Sequence, residues 1–251
     1  MPADSVSKIS AAVVGASGYT GAELCALLSA HPHIERTAYI SRSLAGEPAA
    51  AHLPFLRGRD DSVFLDFSPK AFAGCDAVFF ATPHGAAMGQ AGAVLDGGAV
   101  VIDLSADFRL RDVKIFAEWY GEHSSPELLS RAVYGLSEAA RAEIKTADLI
   151  ACPGCHATAA ELALIPLAAA GAICGRVIID AKSGVSGAGK QSGRADLLFA
   201  EQTENFKAYA VDGHRHRPEI EQAVAEFGGA IPPVVFTPHL LPAARGIYAT
   251  I

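Results

Sequence analysis

Ile9-Ser10-Ala11-Ala12-Val13-Val14-Gly15-Ala16-Ser17-Gly18-Tyr19-Thr20-Gly21 is an apolar run followed by a glycine-rich turn, and Thr20 to Ala30 then carries Leu24, Leu27 and Leu28 at helical spacing. The pattern predicts strand, tight turn and helix. Small residues at 15, 18 and 21 let the backbone turn sharply, bring N–H groups close to a pyrophosphate and pack the helix on its strand. The spacing is Gly-x-x-Gly-x-x-Gly rather than the commoner Gly-x-Gly-x-x-Gly, and the flanking strand and helix are what support a nucleotide loop. Its expected contacts are Gly15, Ser17, Gly18, Tyr19, Thr20 and Gly21.

Working outward, strand-like runs recur at Thr37 to Ile40, Ala77 to Ala81, Ala99 to Leu104 and Leu149 to Cys152, separated by helix-length stretches such as Gly85 to Leu95. That alternation predicts an α/β fold, a doubly wound parallel sheet covered by helices. After Cys155 come a long Ala/Leu helix, a strand at Arg176 to Ala181, a Gly/Ser-rich loop at Ser183 to Gly189, and strands at Val234 to Leu240 and Gly246 to Ile251. We therefore expect a nucleotide domain over 1–154 and an α+β domain over 155–251. The final strand-like run reaches the last residue without a turn or polar tail, so the second domain is expected to be truncated.

With 251 residues, 51% of them hydrophobic, the chain can bury large cores, while a formal net charge of −7 argues against a nucleic-acid surface. Anionic ligands must then be held by local cations. Met1 to Ser10 reads as neither a secretory signal nor a transit peptide, which makes the cytoplasm the expectation. Ala157 to Cys174 is apolar but carries Glu161, Pro166 and Gly171, so a buried helix is expected rather than a membrane span. Cysteines at 25, 75, 152, 155 and 174 do not form a disulfide framework.

In an NAD site a carboxylate about 20 residues past the loop holds the ribose 2′-hydroxyl. Here Ser41-Arg42-Ser43 stands in that region. An arginine between two hydroxyls suits a 2′-phosphate, which points to NADP(H); the plainer reading of Arg42 is a solvated loop residue. Cys155 heads its helix, where the macrodipole and free N–H groups favour thiolate. Cys152 and Cys155 also form a Cys-x-x-Cys pair, open to reading as a redox dithiol, half a zinc site or two core cysteines. The clearest second ligand pair, His214-x-His216, lacks finger spacing, so no metal is expected. His214 and His216 precede a helix in which Pro218 suits the first position, and a helix start disfavours imidazolium. A neutral base and a structural histidine both fit them.

Taken together, the loop at Gly15 to Gly21, Pro83-His84-Gly85, Asp103-Leu104-Ser105-Ala106-Asp107-Phe108-Arg109, Tyr134-Gly135-Leu136-Ser137-Glu138, Pro153-Gly154-Cys155, Ser183 to Lys190 and Gly213-His214-Arg215-His216 resemble the N-acetyl-gamma-glutamyl-phosphate reductases, relatives of aspartate-semialdehyde dehydrogenase. The resemblance runs from Ile9 to the last residue. It implies a Rossmann-type domain followed by a catalytic and dimerisation domain, and NADPH-dependent reductive dephosphorylation of an acyl phosphate to an aldehyde, with phosphate released. It makes Cys155 the nucleophile, His216 the acid/base, His214 a substrate-side partner and Arg109 a neighbour of the substrate phosphate. In the Ser183 to Gly189 loop, Ser183 and Gly184 would face substrate, and Ser186 and Gly187 the cofactor, alongside Ser41, Arg42 and Ser43. Lys182 and Arg215 would offset ligand charge.

The family implies a homo-oligomer, dimer or tetramer, and a further strand-and-helix set beyond this C-terminus. Cys152 replaces a common Asn, His156 a usual aromatic and Ala157 a frequent Pro, departures that bear on the geometry around the thiol. Competing readings are aspartate-semialdehyde dehydrogenase, a carrier-linked aminoadipyl-phosphate reductase, and a non-enzymatic nucleotide-binding module that senses redox state through Cys152 and Cys155.

Overall fold

The computed structural model describes residues 8–190, 193, 195–230 and 233–251. Two compact units emerge: one contains the chain up to Phe108, His123–Val133 and Thr146–Ala151, the other Arg109–Glu122, Tyr134–Lys145 and Cys152–Ile251.

In the first unit, β1 (Ile9–Val14), β2 (Ile34–Ile40), β3 (Ala77–Phe80), β4 (Val100–Asp103), β5 (Val133–Tyr134) and β6 (Leu149–Ala151) form a sheet in the order β2-β1-β3-β4-β6-β5. The pairs β1·β2, β1·β3, β3·β4 and β4·β6 are parallel. Alternate residues of β1 enter opposite cores: Ala12 and Val14 pack with Ile40, Val78 and Phe80, whereas Ala11 and Val13 pack with Cys25, Leu28 and Tyr39. A strand buried on both faces has to be apolar throughout, which is why these runs lack polar alternation. The chain order reverses at β1, between β2 and β3, and the open crevice beyond the carboxyl ends of such strands is where α/β sheets bind ligands. The Gly15 turn lies at that end.

Gly85 to Leu95 is not one helix, because only Ala91–Asp96 is helical. The buried Asp107 carboxylate accepts from Gly85 N at 2.7 Å and Met88 N at 2.9 Å, which holds Pro83-His84-Gly85 as a loop. A helix over Val113–Tyr120 was absent from the sequence reading. It is started by Asp112, whose Oδ1 accepts from Lys114 N at 2.7 Å.

The second unit holds β7 (Val177–Ser183), β8 (Lys207–Ala208), β9 (Val234–Leu240) and β10 (Ile247–Thr250), ordered β10-β7-β9-β8. β7 and β9 are parallel and the outer pairs antiparallel. The helices Cys155–Ala169 and His216–Gly228 cover one face, where Ala157, Ala160 and Leu164 meet Ile179, Ile220, Val224 and Phe236. The second helix begins at His216, not at Pro218. Arg215 is the cap residue, and His214 Nδ1 accepts from His216 N at 3.1 Å. Pro218 in that first turn is tolerated because its missing N–H would have had no helical partner. Among the described residues, no helix is long and apolar enough to cross a membrane.

Candidate active site

In the first unit the nucleotide loop is tightly drawn. Gly15 has φ +82°, and a Cβ there would lie 2.3 Å from Ala81 O. A Cβ at Gly21 would lie 2.1 Å from Gly15 O, so loop and helix pack backbone to backbone. Gly18 precedes the helix Tyr19–Ala30, whose first residues are Tyr19 and Thr20, and no side chain caps its start. Ser17 Oγ sits 2.9 Å from Ser41 Oγ, which lies 3.4 Å from Ser43 Oγ. The Arg42 guanidinium stacks 4.5 Å above the Phe67 ring. A cradle that admits no Cβ, uncapped helix N–H groups and a hydroxyl cluster beside a guanidinium fit a dinucleotide with a 2′-phosphate.

The second unit contains a cavity of about 610 Å³ lined by Cys155, His156, Ser183, Gly184, Ser186, Gly187, Lys207, Tyr209, His214, Arg215 and His216, among others. Residues far apart in the chain, Cys155, the 183–187 loop and the two histidines, thus meet in one place. The 183–187 loop is fixed by backbone bonds from Gly184 N to Gly246 O, Val185 N to Ala243 O and Ser186 N to Ala244 O. Arg109 and Lys182 do not line the cavity. Arg109 is nearly buried and donates from Nε to Cys152 O at 2.8 Å. Lys182 is paired with Asp180 at 2.7 Å, on the strand side opposite the core-packed Ala181.

Cys155 is the first residue of its helix, with Gly154 as the cap. Desolvation by the surrounding protein is the largest influence on the thiol and raises it above its ordinary 9.0, against the His156 N–H, the Arg109 charge and its own N–H; Glu219 adds a further push upward. On this residue, exposed to the cavity, the helix start and the packing of protein around the sulfur act in opposite directions, and a neighbouring base would assist deprotonation. The histidines are suited to that task. Burial lowers His156 to about 4. Burial, then His156 and Arg215, lower His214 to about 4. His216 is held well below 6.5 by burial first and then by His214, Arg109, His156 and Arg215. All three imidazoles are neutral at neutral pH, with ring centroids 4.7 to 5.8 Å apart. His156 Nε2 lies 3.0 Å from Tyr209 Oη, so this departure from the family pattern is tied to a cavity phenol.

The turn before Cys155 is built for close approach. A Cβ on Gly154 would fall 2.5 Å from His216 Nε2 and 2.9 Å from Arg109 Nη1. Gly154 N donates to Glu219 Oε1 at 2.6 Å, and Arg109 Nη1 stands 3.7 Å from Glu219 Oε2. Gln222 Nε2 donates to Arg109 O at 2.9 Å. Glu219 was missed in the sequence, where it reads as an ordinary acidic residue in a first helical turn. Tyr134 and Glu161, which bond within the same buried group, were quoted only as part of a motif and as a polar break in an apolar helix.

Two family models match this chain: the semialdehyde dehydrogenase NAD binding domain over residues 10–147 and the semialdehyde dehydrogenase dimerisation domain over 155–251. The chain belongs to the semialdehyde dehydrogenase family. Within that family it is 53% identical, over 97% of its length and 71% of the relative's, to N-acetyl-gamma-glutamyl-phosphate reductase of Thiobacillus denitrificans. The enzyme of that name from Halorhodospira halophila is 50% identical, with the same coverage. Among solved structures, aspartate semialdehyde dehydrogenase II from Vibrio cholerae matches with a TM-score of 0.70 at 15% identity, covering 96% of this chain and 73% of that one. Aspartate semialdehyde dehydrogenase with NADP from Candida albicans gives 0.64 at 19% identity, covering 97% and 70%. These likenesses bear out the semialdehyde dehydrogenase fold, and the sequence identities put the chain on the N-acetyl-gamma-glutamyl-phosphate reductase branch.

Proposed function

We propose that this chain catalyses the NADPH-dependent reductive dephosphorylation of N-acetyl-gamma-glutamyl phosphate to N-acetylglutamate semialdehyde, in arginine biosynthesis. The observation that carries the reading is Cys155 at its helix start, opening on the same cavity as His214, Arg215 and His216. About 610 Å³ suits a small amino-acid derivative. Residues 1–154 serve as the NADP-binding domain, with Gly15, Ser17, Gly18, Tyr19, Thr20 and Gly21 on the pyrophosphate side and Ser41, Arg42 and Ser43 on the 2′-phosphate. Residues 155–251 serve as the catalytic and dimerisation domain.

His216, neutral at working pH, removes the Cys155 proton as the sulfur attacks the acyl carbon. Phosphate leaves and a thioester remains on Cys155. The Cys155 and His156 N–H groups, in the first turn of the helix, are available to the developing oxyanion, whereas the Gly154 N–H is committed to Glu219. NADPH, when bound, supplies hydride. The bond between the substrate carbon and Sγ then breaks as the aldehyde leaves, which regenerates the Cys155 thiol, with His216 carrying the proton. His214, Ser183 and Gly184 orient the substrate, and Ser186 and Gly187 border the nicotinamide side. Arg215 and Lys207 neutralise anionic groups in the cavity, with the Arg109 charge acting from behind the Gly154 turn.

The outer face of the second unit's sheet exposes Ile178 (61%), Val235 (41%) and Tyr248 (67%) among the polar Asp180, Lys182, Thr237 and His239. We assign that face to a second copy of the chain, consistent with the dimerisation-domain match. None of the five cysteines is in a disulfide, which suits a reducing cytoplasm.

The test is phosphate-dependent formation of NADPH from NADP and N-acetylglutamate semialdehyde, with aspartate semialdehyde as the competing substrate. Cys155→Ala should abolish turnover while NADPH still binds. Full turnover in that variant, or a preference for aspartate semialdehyde, would overturn the proposal.

A further inference from the structure

Tyr134 Oη lies 2.7 Å from Glu161 Oε1 and 2.9 Å from Glu219 Oε1, and the three side chains are buried. A phenol has one proton to give. Two ionised carboxylates on either side of it would leave one oxygen–oxygen contact without a hydrogen, in a site that water does not reach. A second proton is therefore required, and the surroundings say where it resides. Glu219 accepts the Gly154 N–H at Oε1 and faces the Arg109 guanidinium with Oε2, so both of its oxygens are turned to donors. The Glu161 carboxyl meets the Tyr134 phenol through Oε1, and the Arg109 charge is the smallest of the influences on it.

We propose that Glu161, Tyr134 and Glu219 form a positioning chain in which Glu161 donates its proton to Tyr134, Tyr134 donates to Glu219, and Glu219 thereby fixes the Gly154–Cys155 turn. None of the three lines the reaction cavity, so each acts on the thiol through the Gly154 N–H and through Arg109. The chain explains why a tyrosine opens the Tyr134-Gly135-Leu136-Ser137-Glu138 motif. It also explains a carboxyl at position 161, on the buried stripe of an apolar helix. The groups facing Glu161 are Glu219, Tyr134 and Arg109; burial first, then the Glu219 charge, raises its acid to about 8, against the Tyr134 hydrogen bond and Arg109.

The role of Glu161 in turnover rests on the proposed reaction, but the chain itself is testable without substrate. The second-order rate of iodoacetamide alkylation, followed at the Cys155 peptide by mass spectrometry, is measured against pH in wild type, Glu161→Gln and Tyr134→Phe. In wild type an inflection is expected near about pH 8, below that of the thiol, as a new charge on Glu161 disturbs the turn. Glu161→Gln keeps the shape and a donor to the phenol but cannot ionise, so the inflection disappears. Tyr134→Phe cuts the link, which removes the inflection and lowers kcat about tenfold with KM little changed, the loss of roughly one buried hydrogen bond. An inflection that persists in either variant, or is missing from wild type, overturns the proposal. If wild type lacks turnover yet gives the expected alkylation profiles, the reaction assignment fails and the positioning chain stands.

Discussion

At Gly154 the absence of a side chain lets the His216 ring and the Arg109 guanidinium close onto the backbone beside the nucleophile. Gly154→Ala should therefore displace the base. Overpacking of this kind costs about 1–3 kcal/mol, so a lower melting temperature is expected together with a fall in kcat of tenfold or more. Wild-type turnover in Gly154→Ala would show that the ring is not held by this contact. At the cofactor, Arg42 carries the expected charge-assisted contact to a 2′-phosphate, and its stacking on Phe67 keeps the guanidinium in place. Arg42→Ala is expected to reduce the preference for NADPH over NADH by about tenfold or more, as read from the ratio of kcat/KM values. An undiminished preference would assign the 2′-phosphate to other residues.

Among elements, the two helices of the second unit show how secondary structure places chemistry. The Cys155 helix buries His156, Ala157, Ala160, Glu161 and Leu164 along one stripe, which leaves its first residue at the cavity. The His216 helix contributes its base at the first position and its carboxylate, Glu219, one turn later on the same buried side. The helix Val113–Tyr120 depends on its cap: Asp112 Oδ1 takes the Lys114 N–H at 2.7 Å and approaches the Ile115 N–H at 3.4 Å. Asp112→Ala should lower stability by about 1 kcal/mol, measured by denaturant titration. A change within error would mean that packing of Phe116 alone sustains the helix.

For the whole molecule, buried titratable groups set an optimum pH for stability. His156, His214 and His216 stay neutral when folded but take up protons below about 6.5 when unfolded. The unfolded state then binds more protons, and stability falls as pH drops below that value, by up to about 1.4 kcal/mol per unit for each imidazole. Glu161 has the opposite sign. Raised from 4.5 to about 8, it keeps its proton in the fold after the unfolded chain has lost it, so stability falls as pH rises through that window. Below 6.5 three imidazoles outweigh one carboxyl, and above it only the carboxyl remains. A stability maximum near about pH 6.5 is expected, with Glu161→Gln flattening the alkaline side. A midpoint that climbs steadily from about pH 5 to 8 would contradict these assignments.

Local chemistry was enough for much of this protein. Apolar runs with glycine punctuation marked β1, β3, β4 and the nucleotide loop, because a strand buried on both faces and a turn without Cβ atoms leave few residue choices. Cys155 was legible as a thiol at a helix start, whereas the residues around His216 left a neutral base and a structural histidine both open, and its acid/base role came from the family resemblance. What the sequence could not disclose is which groups face one another: Glu161, Tyr134 and Glu219 stand far apart in the chain, and nothing in their neighbours marks them as a buried set. The state of the thiol was likewise undecided by position, since the helix end favours thiolate and desolvation opposes it more strongly. Desolvation and proton sharing depend on every element packed around a group, and only the tertiary structure brings those elements together.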